Sequence, residues 1–262
     1  MEVRTYMVKP RMLILRVGGT NCDLETEWAF RLAGALPERI HLNMLKSGEK
    51  KLDNYQALVI PGGFSYGDDI SARKVLANKI RYGIKEEITS FIGKGRPVLG
   101  ICNGFQVLIK SGFLPWPGRQ EATLAWNESA RFEDRWVYLK VEDSVSPFFK
   151  GMRGIIRLPV AHAEGRFLVR EPKILERIES KKLVLMRYCD SSGKHAGYPG
   201  NPNGSAGDIA GICDPSGLIV GMMPHPERAL LDFFCPDSRG RGKKGGEGDG
   251  YSFFKNVVDY FR

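Results

Sequence analysis

An α/β fold, built as one domain around a mostly parallel central sheet with helices on both faces, is what this sequence predicts, and three observations predict it. Short apolar runs recur as "MLILRV" at 12–17, "ALVIPGG" at 57–63 and "PVLGI" at 97–101. Runs without polar alternation suit strands that are covered on both sides. Between them, "LETEWAFRLAG" (24–34) and "VLANKIRYGIKEEITSFIGKG" (75–95) carry apolar residues at helical spacing and end in glycines suited to C-caps. Finally, 262 residues at 42% hydrophobic content are enough for a full core, and no repeat or linker-like shift in composition divides positions 1–262.

In chain order, the first strand occupies the apolar run after Arg11, and "VGGTNCD" turns it into the first helix. The second strand ends near Ile60, where Pro61-Gly62-Gly63 forces a turn. The third ends near Ile101, and a new helix begins just after Asn103. Beyond Gly112, "RWVYLKV", "KLVLMRY" and "GLIVGMM" read as later strands, joined by turn-rich loops such as "GYPGNPNGSAG" (197–207). An α/β sheet usually keeps its chemistry in such loops. "SRGRGKKGGEGDG" (238–250) sets four cations among glycines, a composition expected to form a mobile loop.

Composition excludes several classes of function. The formal charge of +9 is partly that glycine-rich segment, and no interleaved aromatics or reading helix accompany it, so nucleic acid is not an expected partner. No stretch approaches the roughly 18 to 20 apolar residues of a membrane span. The N-terminal "MEVRTYMVKPRMLILRVGG" lacks the apolar core of a signal peptide, so a soluble cytoplasmic protein is expected. Five scattered cysteines without a C-x-x-C pair argue against a disulfide framework and against a structural metal site. No phosphate-binding glycine motif is present, so no nucleotide cofactor is expected in this chain.

The chemistry gathers on three short stretches. In "PVLGICNGFQVLI" the pattern G-x-C-x-G places Cys102 on a strand-to-helix turn, with glycines that let strand and helix approach closely. A helix N-terminus favours a thiolate and offers free N–H groups to an oxyanion. Cys22 in "VGGTNCDLE" also lies between a strand and a helix, with Asn21 or Asp23 as the expected N-cap. The carboxylate of Asp23 opposes a thiolate there, so Cys102 is the preferred nucleophile. His225 follows an apolar strand in "GLIVGMMPHPERALL", and in an extended chain Glu227 points to the same side as His225 and orients it. Gly62 and Gly63 expose backbone N–H groups without side chains in the way, as an oxyanion hole requires.

With those residues in view, the chain resembles the class I, triad-type glutamine amidotransferases, which carry a G-x-C-x-G-x-Q elbow and a late H-P-E. The likeness runs through "GTNCD" (19–23), "PGGFSYGDD" (61–69), "WNESARF" (126–132), "PVAHAEGRF" (159–167), "YPGNPNGS" (198–205) and "GMMPHPERA" (221–229). Within the superfamily, "PGGFSYGD", "NPNGS" and "MMPHPER" point to the glutaminases of de novo purine synthesis. The resemblance implies one α/β domain with flavodoxin-like layering and a catalytic triad of Cys102, His225 and Glu227. It also implies an oxyanion hole from Gly63 and the N–H of Asn103, and substrate contacts near Gly62, Gln106 and His162. The implied reaction is hydrolysis of glutamine through a glutamyl thioester, with ammonia passed to a large synthetase subunit that binds formylglycinamide ribonucleotide, ATP and magnesium. A small third subunit bridging the two is part of the same expectation. A glutaminase feeding another synthetase shares the triad; an elbow-cysteine redox or chaperone-like protein of related fold lacks the late H-P-E.

Overall fold

The computed structural model describes residues 9–67, 72–236 and 246–262. Among them the strands are β1 (Arg11–Arg16), β2 (Leu36–His41), β3 (Ala57–Ile60), β4 (Val98–Ile101), β5 (Ala122–Ala125), β6 (Glu133–Val141), β7 (Ile155–His162), β8 (Arg166–Val169), β9 (Val184–Cys189), β10 (Ile209–Cys213) and β11 (Ile219–Met222). The helices are α1 (Asp23–Leu32), α2 (Leu42–Lys46), α3 (Ala72–Gly83), α4 (Lys85–Gly93), α5 (Asn103–Lys110), α6 (Pro172–Ser180) and α7 (Tyr251–Asp259).

Nine strands make one sheet in the order β2-β1-β3-β4-β11-β10-β9-β6-β7. The first five run parallel, as the uninterrupted apolar runs predict for β1, β3 and β4, and β3, β4 and β11 are buried along their whole length. From β11 onward each neighbour is antiparallel, so an antiparallel half is joined to the parallel half. A separate pair, β5 and β8, completes the strands. Helix α5 packs on β4, β11 and β3, with α3 against it; α1 packs on β1 and β2, with Phe30 edge-on to Phe254 of α7 at 5.0 Å.

The strands absent from the sequence reading have recognisable causes. β2 ("LPERIH") and β7 ("IIRLPVAH") each contain a proline and lie at the two edges of the sheet, where a missing N–H costs no ladder bond. The helix expected over 75–95 is two helices: Ile84, between α3 and α4 in the chain, leaves helical geometry at φ −141° and is buried. The expected N-cap at Asn21 or Asp23 is corrected to Cys22, with no side-chain cap bond. Asp23 opens the helix instead, and its carboxylate pairs with Arg16 at 3.3 Å and Arg39 at 3.4 Å. Of the glycine-rich segment, 238–245 lies outside the described residues. Gly246–Gly250 is tied down: Gly248 and Gly250 donate to Leu230 and Ala229, and the Asp249 carboxylate accepts from the Arg157 amide at 2.7 Å.

Candidate active site

Three neighbouring parallel strands end at the same level, and each delivers one part of the site. Ile60 of β3 pairs with Gly100 of β4, and Ile101 of β4 pairs with Met222 of β11. The turns that follow carry Gly62-Gly63, Cys102 and His225, so residues far apart in sequence converge beyond the carboxyl ends of the strands.

Cys102 occupies the elbow. Its backbone sits at φ 50°, ψ −104°, a conformation L-residues rarely adopt, and α5 starts at the next residue. The glycines on either side make this turn possible. A Cβ on Gly100 would lie 2.6 Å from the Gly104 carbonyl carbon, and one on Gly104 would collide with the carbonyl oxygen of Ile60. The Cys102 amide donates to Met222 O at 2.7 Å, stitching the elbow to β11. Its Sγ lies 3.7 Å from Ala161 O.

His225 and Glu227 are almost wholly buried, and the imidazole Nδ1 meets Glu227 Oε1 at 2.6 Å. The expected extended H-P-E is corrected: Pro226–Arg228 form a single 3-10 turn, begun by the proline, and the turn brings the carboxylate to the ring. Glu227 holds Nδ1, which leaves Nε2 for the thiols of Cys102 and Cys22 that crowd the ring. Burial is the largest influence on His225 and disfavours its charge. The carboxylate of Glu227 and the two sulfurs outweigh it, raising the histidine well above its usual value.

Gly62 fits where nothing larger does, since a Cβ there would approach His225 Cε1 to 2.8 Å and Cys22 Sγ to 3.1 Å. Gly63 adopts φ 128° and is backed by the Gly19–Asn21 turn, while Phe64 donates to Gly19 O at 2.8 Å. Neither the Gly63 nor the Asn103 amide donates to a backbone acceptor among the described residues. The Asn103 side chain points elsewhere, accepting from Ser65 Oγ at 2.5 Å and donating to Gln106 Oε1 at 3.3 Å. Gln106 in turn donates to Glu164 O.

His162 is placed differently from the triad. Its ring packs on Gly165, and Nδ1 lies 3.1 Å from Asn127 Oδ1. Asn127 also donates to His162 O at 2.7 Å and to Arg131 O at 2.9 Å, and accepts from the Gly165 amide at 3.0 Å. Asn203 holds the same turn by donating to Gly165 O at 2.9 Å. "WNESARF" and "YPGNPNGS" therefore brace the 161–165 turn beside Cys102. Edge strand β7 reaches this site although three strands separate it from β11: His225 N donates to Pro159 O at 2.8 Å. The antiparallel half of the sheet curls over the turns that carry Cys102 and His225. Asn127→Ala is expected to destabilise the chain by about 2–4 kcal/mol, since several buried partners lose their bonds, read as a fall in Tm of roughly 5–10 °C.

The sequence alone assigns no role at the site to Asn127, Ser65 or Arg228, and offers Cys22 only as a rival nucleophile to Cys102. The quoted stretches contained them, yet nothing local marks an asparagine or a second thiol as facing a site formed by distant strands. Asp23 is not what sets the Cys22 thiol: burial raises its pKa, opposed by His225. Arg228 bridges the Cys22 sulfur at 3.2 Å and Glu25 at 3.1 Å.

Comparison with known proteins places this geometry in context. A family model described as a CobB/CobQ-like glutamine amidotransferase domain matches residues 9–261. The chain is 45% identical over 260 residues to the phosphoribosylformylglycinamidine synthase subunit PurQ of Dehalococcoides mccartyi, covering 98% of this chain and 99% of that one. It is 42% identical over 269 residues to the protein of the same name from Methanococcus maripaludis, covering 97% and 98%. Among solved structures, a chain of PurLQS from Thermotoga maritima superposes with a TM-score of 0.73 at 31% identity, covering 97% of this chain and 100% of that chain.

Proposed function

The chain belongs to the CobB/CobQ-like glutamine amidotransferase family, and from that premise we propose that Cys102, His225 and Glu227 hydrolyse the side-chain amide of glutamine, with the amides of Gly63 and Asn103 holding the oxyanion. It is the glutaminase subunit of phosphoribosylformylglycinamidine synthase, serving de novo purine synthesis. One observation carries the assignment of roles: a cysteine at positive φ on a helix N-terminus, beside a buried histidine whose other nitrogen is held by a glutamate.

The chemistry follows from that arrangement. Cys102 as thiolate attacks the amide carbon, and the tetrahedral oxygen forms beside the two backbone N–H groups. The elevated basicity of His225 keeps a proton on the imidazole at neutral pH, ready for the departing ammonia. Once the sulfur is esterified its negative charge is gone, removing one of the influences that hold the proton. The ring then accepts a proton from water, and the thioester hydrolyses to glutamate. Gly62 leaves room beside the imidazole, and Gln106 and His162 shape the turn that receives the amino-acid end of glutamine.

The ammonia passes to a large synthetase subunit that converts formylglycinamide ribonucleotide to formylglycinamidine ribonucleotide. That subunit binds ATP and magnesium, and a small third subunit bridges the two; this chain needs no cofactor of its own. No described helix is long and apolar enough to cross a membrane, and the reading is of a cytoplasmic enzyme. Glutamate release by the purified chain, alone and with its synthetase, tests this: release stimulated by the partner supports it, and no release from a proven complex refutes it.

Glu227→Gln separates positioning from bulk packing. It preserves shape but removes the charge that sustains the imidazolium, so burial prevails and the histidine pKa falls. The alkaline limb of kcat/KM is expected to move to lower pH, with kcat reduced roughly 10²- to 10⁴-fold. An unchanged pH profile would remove Glu227 from the triad.

A further inference from the structure

A second thiol reaches the catalytic histidine. Cys22 is 2% exposed and sits at the start of α1, its amide donating to Gly62 O at 3.2 Å. Its Sγ, a ring nitrogen of His225 and a carboxylate oxygen of Glu227 all lie within 4.8 Å of one another. Sulfur, nitrogen and oxygen donors converging from three side chains match a zinc site that keeps one position open.

A second observation points to a ligand. Glu227 Oε2 is buried without a hydrogen-bond partner among the described residues, and His225 Nε2 faces only the two thiols. Buried polar atoms are rarely left unpaired, and an ion is one of the groups that satisfies them. The nearby cation does not oppose this. Arg228, 3.2 Å from the Cys22 sulfur, favours the thiolate, while its own charge is met by Glu25.

We infer that Cys22, His225 and Glu227 form an inhibitory site for a thiophilic divalent cation of the Zn²⁺ class. The cation takes the Cys22 thiolate, one imidazole nitrogen and a Glu227 oxygen, with water in the fourth position. Binding releases the Cys22 proton to solvent and withdraws the histidine from proton transfer, so bound metal and glutamine hydrolysis exclude each other. The inhibition rests on the catalytic role proposed for His225; the binding does not.

Co²⁺ is the probe, because its charge-transfer absorption reports a metal–thiolate bond independently of activity. The wild-type, Cys102→Ala and Cys22→Ser chains are titrated after circular dichroism has shown each to be folded. Wild type and Cys102→Ala are expected to develop the band with similar affinity. Cys22→Ser is expected to bind more than about 100-fold more weakly, beyond the roughly 10- to 100-fold cost of losing a residue one layer out from a metal. Zn²⁺ is expected to stop glutamate release by wild type and to spare Cys22→Ser. No band in wild type, or a band that survives in Cys22→Ser, overturns the site. If Cys22→Ser does not fold, His225→Ala takes its place, and an unchanged Co²⁺ affinity there overturns the site equally. A band without loss of glutaminase activity leaves the metal site standing and removes His225 from the reaction.

Discussion

Cys102→Ala is expected to abolish glutamine-dependent turnover, lowering glutamate release by roughly 10⁴- to 10⁶-fold, the scale on which losing a triad nucleophile acts. The fold should survive, because alanine occupies the same strained backbone and only one sulfur is removed from the site. The complex of this variant with its synthetase should still make product when ammonia is supplied directly, since the thiol serves only to liberate it. Loss of the ammonia-dependent activity as well would mean that the substitution disturbs folding or docking, and the nucleophile assignment would lose its support. Cys102→Gly adds a second readout. Glycine adopts φ 50° without steric penalty, so this inactive variant should be more stable than Cys102→Ala by about 1–3 kcal/mol. Equal stabilities would show that the elbow stores no strain.

Gly104→Ala is expected to be the most damaging single methyl in the molecule. An exposed helical glycine usually gains stability on replacement by alanine, by about 0.5–1 kcal/mol. Here the added Cβ would collide with the carbonyl oxygen of Ile60, which belongs to β3 and cannot move without dragging Gly62 and Gly63. The cost should exceed the roughly 1–3 kcal/mol typical of overpacking, and any folded remainder should release little glutamate because the oxyanion turn has shifted. Gly93→Ala is the internal control. That glycine ends α4, and a Cβ on it would meet nothing within 4 Å. Thermal melts of the two variants, expected to move in opposite directions, check the argument; a Gly104→Ala chain as stable as wild type would show that α5 is not held against β3.

The local features of the site were legible in the sequence because local rules govern them. A cysteine flanked by glycines two residues away on each side specifies a sharp strand-to-helix turn whatever surrounds it, and Cys102 is found there at positive φ. His225 and Glu227 are two residues apart, so their contact follows from the chain itself. Proline altered only the means, a 3-10 turn in place of an extended segment. The parallel half of the sheet announced itself because strands buried on both faces must be apolar throughout.

What tertiary structure alone decided are the adjacencies. Nothing near His225 states that β11 lies against β4, or that the antiparallel half curls until Pro159 and Ala161 of an edge strand touch the turns that carry His225 and Cys102. Edge strands β2 and β7 escaped the reading because one exposed side tolerates proline and charge. Cys22 and Arg228 are 206 residues apart, and the spacing by which sequence reveals a metal or thiol cluster is absent from such a pair. The sequence by itself determined the strained elbow at Cys102 and the pairing of His225 with Glu227, because backbone sterics and neighbouring side chains act over a few residues. The tertiary structure decided which of them share a pocket, because the packing of buried strands sets that order.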